Sequence, residues 1–151
     1  MATKLLVING PNLNLLGERE PGIYGTDSLK SIESRLLELA KEFSVNAEFF
    51  QSNNEGDLVE RVHQAFRDGV NFIVINPGAY THTSIALRDA FLGTKIPFIE
   101  IHISNVYKRE EFRHKSYLSD IALGVISGLG TLGYELAFKA AITEIQKTKN
   151  L

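Results

Sequence analysis

Residues 5–25 read LLVINGPNLNLLGEREPGIYG, and how this stretch is read decides the fold. Four apolar residues, Leu5, Leu6, Val7 and Ile8, run straight into Asn9, Gly10, Pro11 and Asn12. A short apolar run closed by turn residues fits a strand buried on both faces. After it comes a loop with Gly17, Gly22 and Gly25, a second proline at 21, Arg19 and Tyr24. Loops that leave the carboxyl end of a buried strand are where open α/β sheets hold their ligands.

Outward from this stretch the same punctuation recurs. Asp27 or Ser28 is placed to cap a helix with apolar residues at Leu29, Ile32, Leu36, Ala40 and Phe43, a helical spacing with one buried stripe. Residues 46–51, NAEFFQ, predict a second strand. Asn54, with Asp57 three residues on, predicts the start of a helix with Leu58, Val62, Ala65 and Phe66 on its inner face and Gly69 at its end. Residues 72–75, FIVI, have the pattern of a central parallel strand and run into Asn76, Pro77 and Gly78. A helix from Thr83 or Ser84 to Leu92, carrying Ile85, Leu87, Ala90 and Phe91, is expected to stop at Gly93. A fourth strand over 97–103, PFIEIHI, a polar connection over 105–117 with a short helical turn, a fifth strand over 121–126 and a last helix from Gly130 or Thr131 to Lys147 complete the chain. Strand and helix alternate with no repeat or break in composition. The expected architecture is one catalytic domain over 1–151, an α/β doubly wound, flavodoxin-like fold with a five-stranded parallel sheet in the order 2-1-3-4-5.

Composition removes several classes of function. With 151 residues, 44% hydrophobic and 23% charged, the chain has the make-up of an ordinary globular protein. No apolar run approaches the roughly 20 residues of a membrane span, and the apolar segment near the N-terminus is too short for a secretory signal, so a cytoplasmic protein is expected. The absence of cysteine excludes disulfides, thiolate metal ligands and cysteine nucleophiles. A formal net charge of -2 offers nucleic acid no long-range attraction. Gly128, Gly130 and Gly133 spell GxGxxG, but the dinucleotide fingerprint needs a further strand with an acidic residue about 20 positions on, and only 18 residues follow Gly133. Those glycines read instead as small residues that let the last helix approach the sheet.

Three strand ends carry polar groups that a core does not tolerate: residues 9–14, 76–82 and 100–104. In a parallel sheet they share one edge and converge on one crevice. Glu100 and His102 are two apart on a strand and so point to one face, where the carboxylate can hold one imidazole nitrogen and fix the tautomer presented by the other. His102 as a hydrogen-bonded structural histidine, or as a metal ligand with His82 and Glu100, stays open at this level, although neither HxH nor HExxH spacing is present. His63 and His114 read as surface residues. Arg19, Arg109 and Arg113 lie in the two most polar loops, either as solvated surface charge or as groups that lower the pKa of an anion in the crevice. Tyr24 is a packing residue or a base. Use as a base near pH 7 requires offsetting about 3 pKa units, roughly 4 kcal/mol, which one or two guanidiniums in a water-poor site can supply. Pro21, Gly22 and Gly25 around it suit a lid over residues 17–25 that excludes water.

These residues fall into longer blocks. NGPNLNLLGERxPxxYG at 9–25, QSNxEG at 51–56, NPGAYTHTSIALRDA at 76–90, ExHISN at 100–105 and REEFRxxSY at 109–117 resemble type II 3-dehydroquinate dehydratase, over nearly the whole chain. The resemblance implies a lyase of the shikimate pathway that feeds aromatic amino acid biosynthesis. The reaction it implies is a trans elimination of water from 3-dehydroquinate to 3-dehydroshikimate, through an enolate, with no cofactor, metal or Schiff base. By motif position it makes Tyr24 the base at C2, with Arg19 and Arg109 favouring its phenolate, and His102, oriented by Glu100, the acid for the C1 hydroxyl. Asn12 is implied to hold the water that stabilises the enolate oxygen. Asn76, His82, Ile103, Ser104 and Arg113 are implied to hold the substrate, Ile103 and Ser104 through backbone amides. It further implies a homododecamer of four trimers, with Asp89 reaching a neighbouring subunit's site. The chain departs from the family's common pattern at Gly130–Gly133 and at His114, away from these roles.

Overall fold

In the computed structural model, which describes residues 2–18 and 27–149, strands and helices alternate as the sequence predicts. The strands are β1 (Thr3–Asn9), β2 (Val45–Gln51), β3 (Phe72–Asn76), β4 (Phe98–His102) and β5 (Gly124–Ser127). The α-helices are α1 (Leu29–Glu42), α2 (Glu55–Arg67), α3 (Ile85–Thr94) and α4 (Leu132–Lys149), with short 3-10 turns at Leu13–Leu15, Gly78–His82, Val106–Lys108 and Glu111–Arg113. All four strand pairings are parallel and the order is β2-β1-β3-β4-β5, the expected topology.

The alternation of side chains along each strand divides the core. Leu5, Val7, Phe72, Val74, Ile99 and Ile101 pack beneath α1 and α4, against Leu36, Tyr134 and Phe138 among others. Leu6, Ile8, Ile73, Ile75 and Phe98 face the other way, onto Leu58 and Val62 of α2 and Leu87 and Phe91 of α3. Helices on both faces are what a parallel sheet needs to bury its two apolar surfaces. The predicted caps form. Ser28 and Ser31 exchange side-chain and backbone bonds at the start of α1, Asn54 accepts from Asp57 N at 3.1 Å, and Ser84 accepts from Leu87 N at 2.9 Å. Each contributes about 0.5–2 kcal/mol.

Four details differ from expectation. Phe66 is 60% exposed, because it lies roughly 70° around the helix from the Leu58–Val62–Ala65 stripe. Ile85 is 55% exposed, being two residues before the buried Leu87 and therefore near the opposite side. Gly93 lies inside α3, and the stop is Lys95, left-handed at φ 60, with its N–H on Phe91 O at 2.9 Å and Pro97 two residues on. β5 starts at Gly124 and not at Ile121, since the amides of Ile121 and Ala122 are taken by Leu118 O in a turn. Gly128 and Gly130 have φ of 90 and 66, and a Cβ on Gly128 would also lie 2.9 Å from Asn105 Cβ, whereas a Cβ on Gly133 would meet only Ile126 Cγ2, at an ordinary 3.5 Å.

Candidate active site

The strand order reverses between β1 and β3, so the connections that follow these strands leave on opposite faces and part at their carboxyl ends. Two close approaches hold these connections together. A Cβ on Gly10 would lie 2.3 Å from Pro77 O, and one on Gly78, itself at φ 59, would lie 3.1 Å from Pro11 O. Only glycine allows the two backbones to meet this way. Beneath them Tyr134 OH donates to Asn9 Oδ1 at 2.5 Å and accepts from Asn76 Nδ2 at 3.0 Å, while Asn76 Oδ1 accepts from Gly78 N. Burial pushes the Tyr134 hydroxyl well above its ordinary pKa, so it remains a donor.

One crevice opens above this floor. Its wall from the first connection is Pro11, Asn12, Leu13 and Leu16. Asn12 sits at φ 69, a conformation asparagine tolerates better than most residues, and its amide is held by Asn53 Oδ1 at 2.9 Å. Asn76 and His82 come from the second connection, His102, Ile103 and Ser104 from the end of β4, and Arg109 and Arg113 from the two 3-10 turns beyond.

His102 and Glu100 point to the same face of β4, Nε2 to Oε2 at 2.5 Å. The carboxylate can only accept, so Nε2 carries the proton of that bond and Nδ1 is the nitrogen left for a ligand. Burial alone would raise the Glu100 pKa. The bonds from His102, Ser119 and Ser116 outweigh it and hold the carboxyl below its ordinary value. His82 Nδ1 lies 2.8 Å from Lys115 O, a carbonyl that only accepts, so that nitrogen also bears a proton. Burial, together with His102 and Arg113, lowers the His82 pKa. A neutral His82 then offers Nε2 as an acceptor, for example to a hydroxyl.

The carbonyls at the end of β4 are taken by a glycine turn. His102 O accepts from Gly128 N at 3.1 Å and Ile103 O from Gly130 N at 3.0 Å. In trans peptides N–H and C=O point opposite ways, so the amides of Ile103 and Ser104 point away from that glycine turn. Arg109 Nη1 reaches Ser104 Oγ at 3.4 Å, and Arg113 Nε bonds Glu110 at 3.2 Å.

The structure therefore brings Asn12, Asn76, His82, His102, Ile103, Ser104, Arg109 and Arg113 to one crevice, with Glu100 directly beneath. Asp89 does not line it. Asp89 is on α3 beside His63, Phe66 and Arg67, away from its own chain's crevice. His114 is exposed and His63 half-buried. Arg19, Tyr24 and most of the expected 17–25 lid lie outside the described residues. Sequence reasoning did not single out Tyr134, nor the hydroxyls of Thr81, Ser116 and Ser119 around Glu100. Thr81 and Ser116 stand inside the quoted blocks, which was the one available signal. Among the described residues no three His, Asp or Glu side chains cluster as metal ligands, and no helix is long and apolar enough to cross a membrane.

Residues 3–142 match a family described as dehydroquinase class II. The 3-dehydroquinate dehydratase of Methylococcus capsulatus is 67% identical over 138 residues, 91% of this chain and 93% of that one. That of Polynucleobacter asymbioticus is 61% identical over 143 residues, 95% of this chain and 96% of its own. The crystal structure of type II dehydroquinase from Butyrivibrio crossotus superposes with a TM-score of 0.90 at 45% identity, over 93% of this chain and 97% of the other.

Proposed function

Because this chain belongs to the dehydroquinase class II family, we infer that its crevice takes 3-dehydroquinate and removes water from it, giving 3-dehydroshikimate, a step of the shikimate pathway. The observation that carries this reading is an imidazole, oriented by a buried carboxylate, in one crevice with two arginines.

The amides of Ile103 and Ser104, with Arg113, bind the substrate carboxylate. His82 Nε2 and Asn76 take ring hydroxyls. This fixes C1 and C2 relative to the two reacting groups, which is where most of the entropic cost of the reaction lies. Tyr24 removes the C2 proton that is anti to the C1 hydroxyl, its phenolate favoured by Arg19 and Arg109. Electrons move onto the C3 oxygen, where a water held by Asn12 meets the developing charge. His102, protonated on both nitrogens, gives its Nδ1 proton to the C1 hydroxyl as the enolate collapses to the C1–C2 double bond, and water leaves. No step uses a cofactor.

One catalytic domain carries this chemistry, in the cytoplasm, within a dodecamer of four trimers. In that assembly Asp89 faces a neighbouring subunit's crevice. Support for assembly on this side is the exposed apolar surface of Phe66, Ile85 and Leu92 on α2 and α3, of which Ile85 is 55% and Leu92 49% exposed.

Stereochemistry tests the reading. Substrate with deuterium at C2 anti to the C1 hydroxyl is expected to lose the label to solvent, and substrate with the label syn to retain it at the vinyl carbon. Retention of the anti label would exclude this geometry of base and acid.

A further inference from the structure

Glu100 is 1% exposed, and an ionised carboxylate so placed is tolerable only when its lone pairs are met. All four are. Oε2 takes His102 Nε2 at 2.5 Å and Thr81 Oγ1 at 3.0 Å, and Oε1 takes Ser116 Oγ at 3.0 Å and Ser119 Oγ at 2.8 Å. Counting hydrogens fixes the directions. Ser116 Oγ already accepts from Leu118 N at 3.0 Å and Ser119 N at 3.2 Å, so its lone pairs are used. Thr81 Oγ1, 2.7 Å from Ser116 Oγ, cannot donate to it and gives its single proton to Glu100, so the one Ser116 proton is shared between Thr81 Oγ1 and Glu100 Oε1. A protonated Glu100 would need an acceptor, and the nearest in this cluster is His102 Nε2, at 2.5 Å.

The cage is held from outside. Tyr117 N bonds Thr81 O at 2.8 Å, and Arg88 of α3 grips Tyr117 O at 2.8 Å as well as Asp120. The titratable groups facing Glu100 are His102 on its own strand and His82 from the connection after β3, with Arg113 behind His82. β3 and β5 present Ile75 and Val125 as its register neighbours.

We propose that Thr81, Ser116 and Ser119 are positioning residues for the dehydration, a cage of three hydroxyls that keeps Glu100 ionised and leaves the shared proton on His102, where the departing hydroxyl can take it. The proposal rests on the reading of His102 as the general acid. Loss of one hydroxyl destabilises the state in which Glu100 is anionic and His102 neutral more than the state in which they form a neutral pair. The pair then binds its proton more tightly and His102 becomes a weaker acid. Turnover falls, and the alkaline limb of the pH profile moves up.

The test uses isosteric pairs. Thr81→Val keeps shape and loses the donor, whereas Thr81→Ser keeps the donor and loses a methyl. T81V and S119A are expected to lower kcat about tenfold with KM nearly unchanged, and to raise the alkaline pKa by about half a unit to one unit. T81S should stay close to the parent protein in both. A nitrogen-15 NMR titration of the His102 ring in substrate-free protein should show the same upward shift. Equal losses in T81S and T81V, or an unshifted His102 titration in T81V and S119A, would overturn the cage. Failure of the parent protein to turn over 3-dehydroquinate would remove only the dehydration reading, since the NMR titration decides the cage independently.

Discussion

Replacing His102 with Gln lowers kcat by two to four orders of magnitude while KM changes little. The imidazole is 7% exposed, held at Nε2 by Glu100, and presents a single nitrogen to the crevice. In the proposed cycle that nitrogen is the only proton source for a hydroxide-like leaving group, and loss of a positioned acid costs about 10²–10⁴ in rate. The substrate's carboxylate and hydroxyls are held by other groups, so binding survives. Glutamine keeps an amide donor to offer Glu100. Alanine would leave a buried anion one donor short, a loss of about 3–5 kcal/mol when the partner of a buried pair is removed. Thermal unfolding separates the two effects. H102Q should melt near the parent protein and H102A well below it, with both nearly inactive. A steady-state kcat for H102Q within a few-fold of the parent value would assign the acid role elsewhere.

Tyr24→Phe produces the complementary loss. The variant removes one hydroxyl, and kcat is expected to fall by at least about two orders of magnitude with KM within a few-fold. The size follows from the work the hydroxyl does. A phenol with a pKa near 10 acting at pH 7 needs about 3 units of stabilisation, roughly 4 kcal/mol, which Arg19 and Arg109 are proposed to supply. Without the oxygen that investment has no object, and proton removal at C2 falls to water. Both variants should bind a carboxylate-bearing substrate analogue as the parent does, measured by calorimetry. A Y24F enzyme with near-parental turnover would mean that another group is the base.

Strand positions were readable because burial on two faces leaves an unmistakable run. Residues 72–75 admit one reading, and the sheet order followed from the alternation of elements. Helix faces were readable where the stripe was narrow, and misread at Phe66, whose aromatic side chain looks like core in any local pattern. The outward position of Phe66 depends on an angle around α2, and what lies opposite that angle is not local information. Glu100 and His102 were legible as a pair since the two-residue repeat of a strand fixes a shared face. Their supporting hydroxyls were not. Thr81, Ser116 and Ser119 stand 16 to 19 positions from Glu100 in turns where serine and threonine are ordinary, and only the tertiary fold turns them toward one carboxylate. Tyr134 is similar: it meets Asn76 across 58 positions and Asn9 across 125, with no spacing to announce either bond. The glycines at 128 and 130 stand at positive φ in the turn after β5. Their use became visible only when their amides were found on the carbonyls of His102 and Ile103.

The most direct measurement mixes the purified protein with 3-dehydroquinate at neutral pH and follows ultraviolet absorbance from the conjugated enone, beside a second portion of protein that was treated with substrate and sodium borohydride and then freed of both. A steady rise in absorbance, equal in the two portions and with no lysine adduct in the treated protein's mass, is the predicted result. No rise at any pH, or loss of activity in the treated portion with an adduct trapped on lysine, would contradict the account.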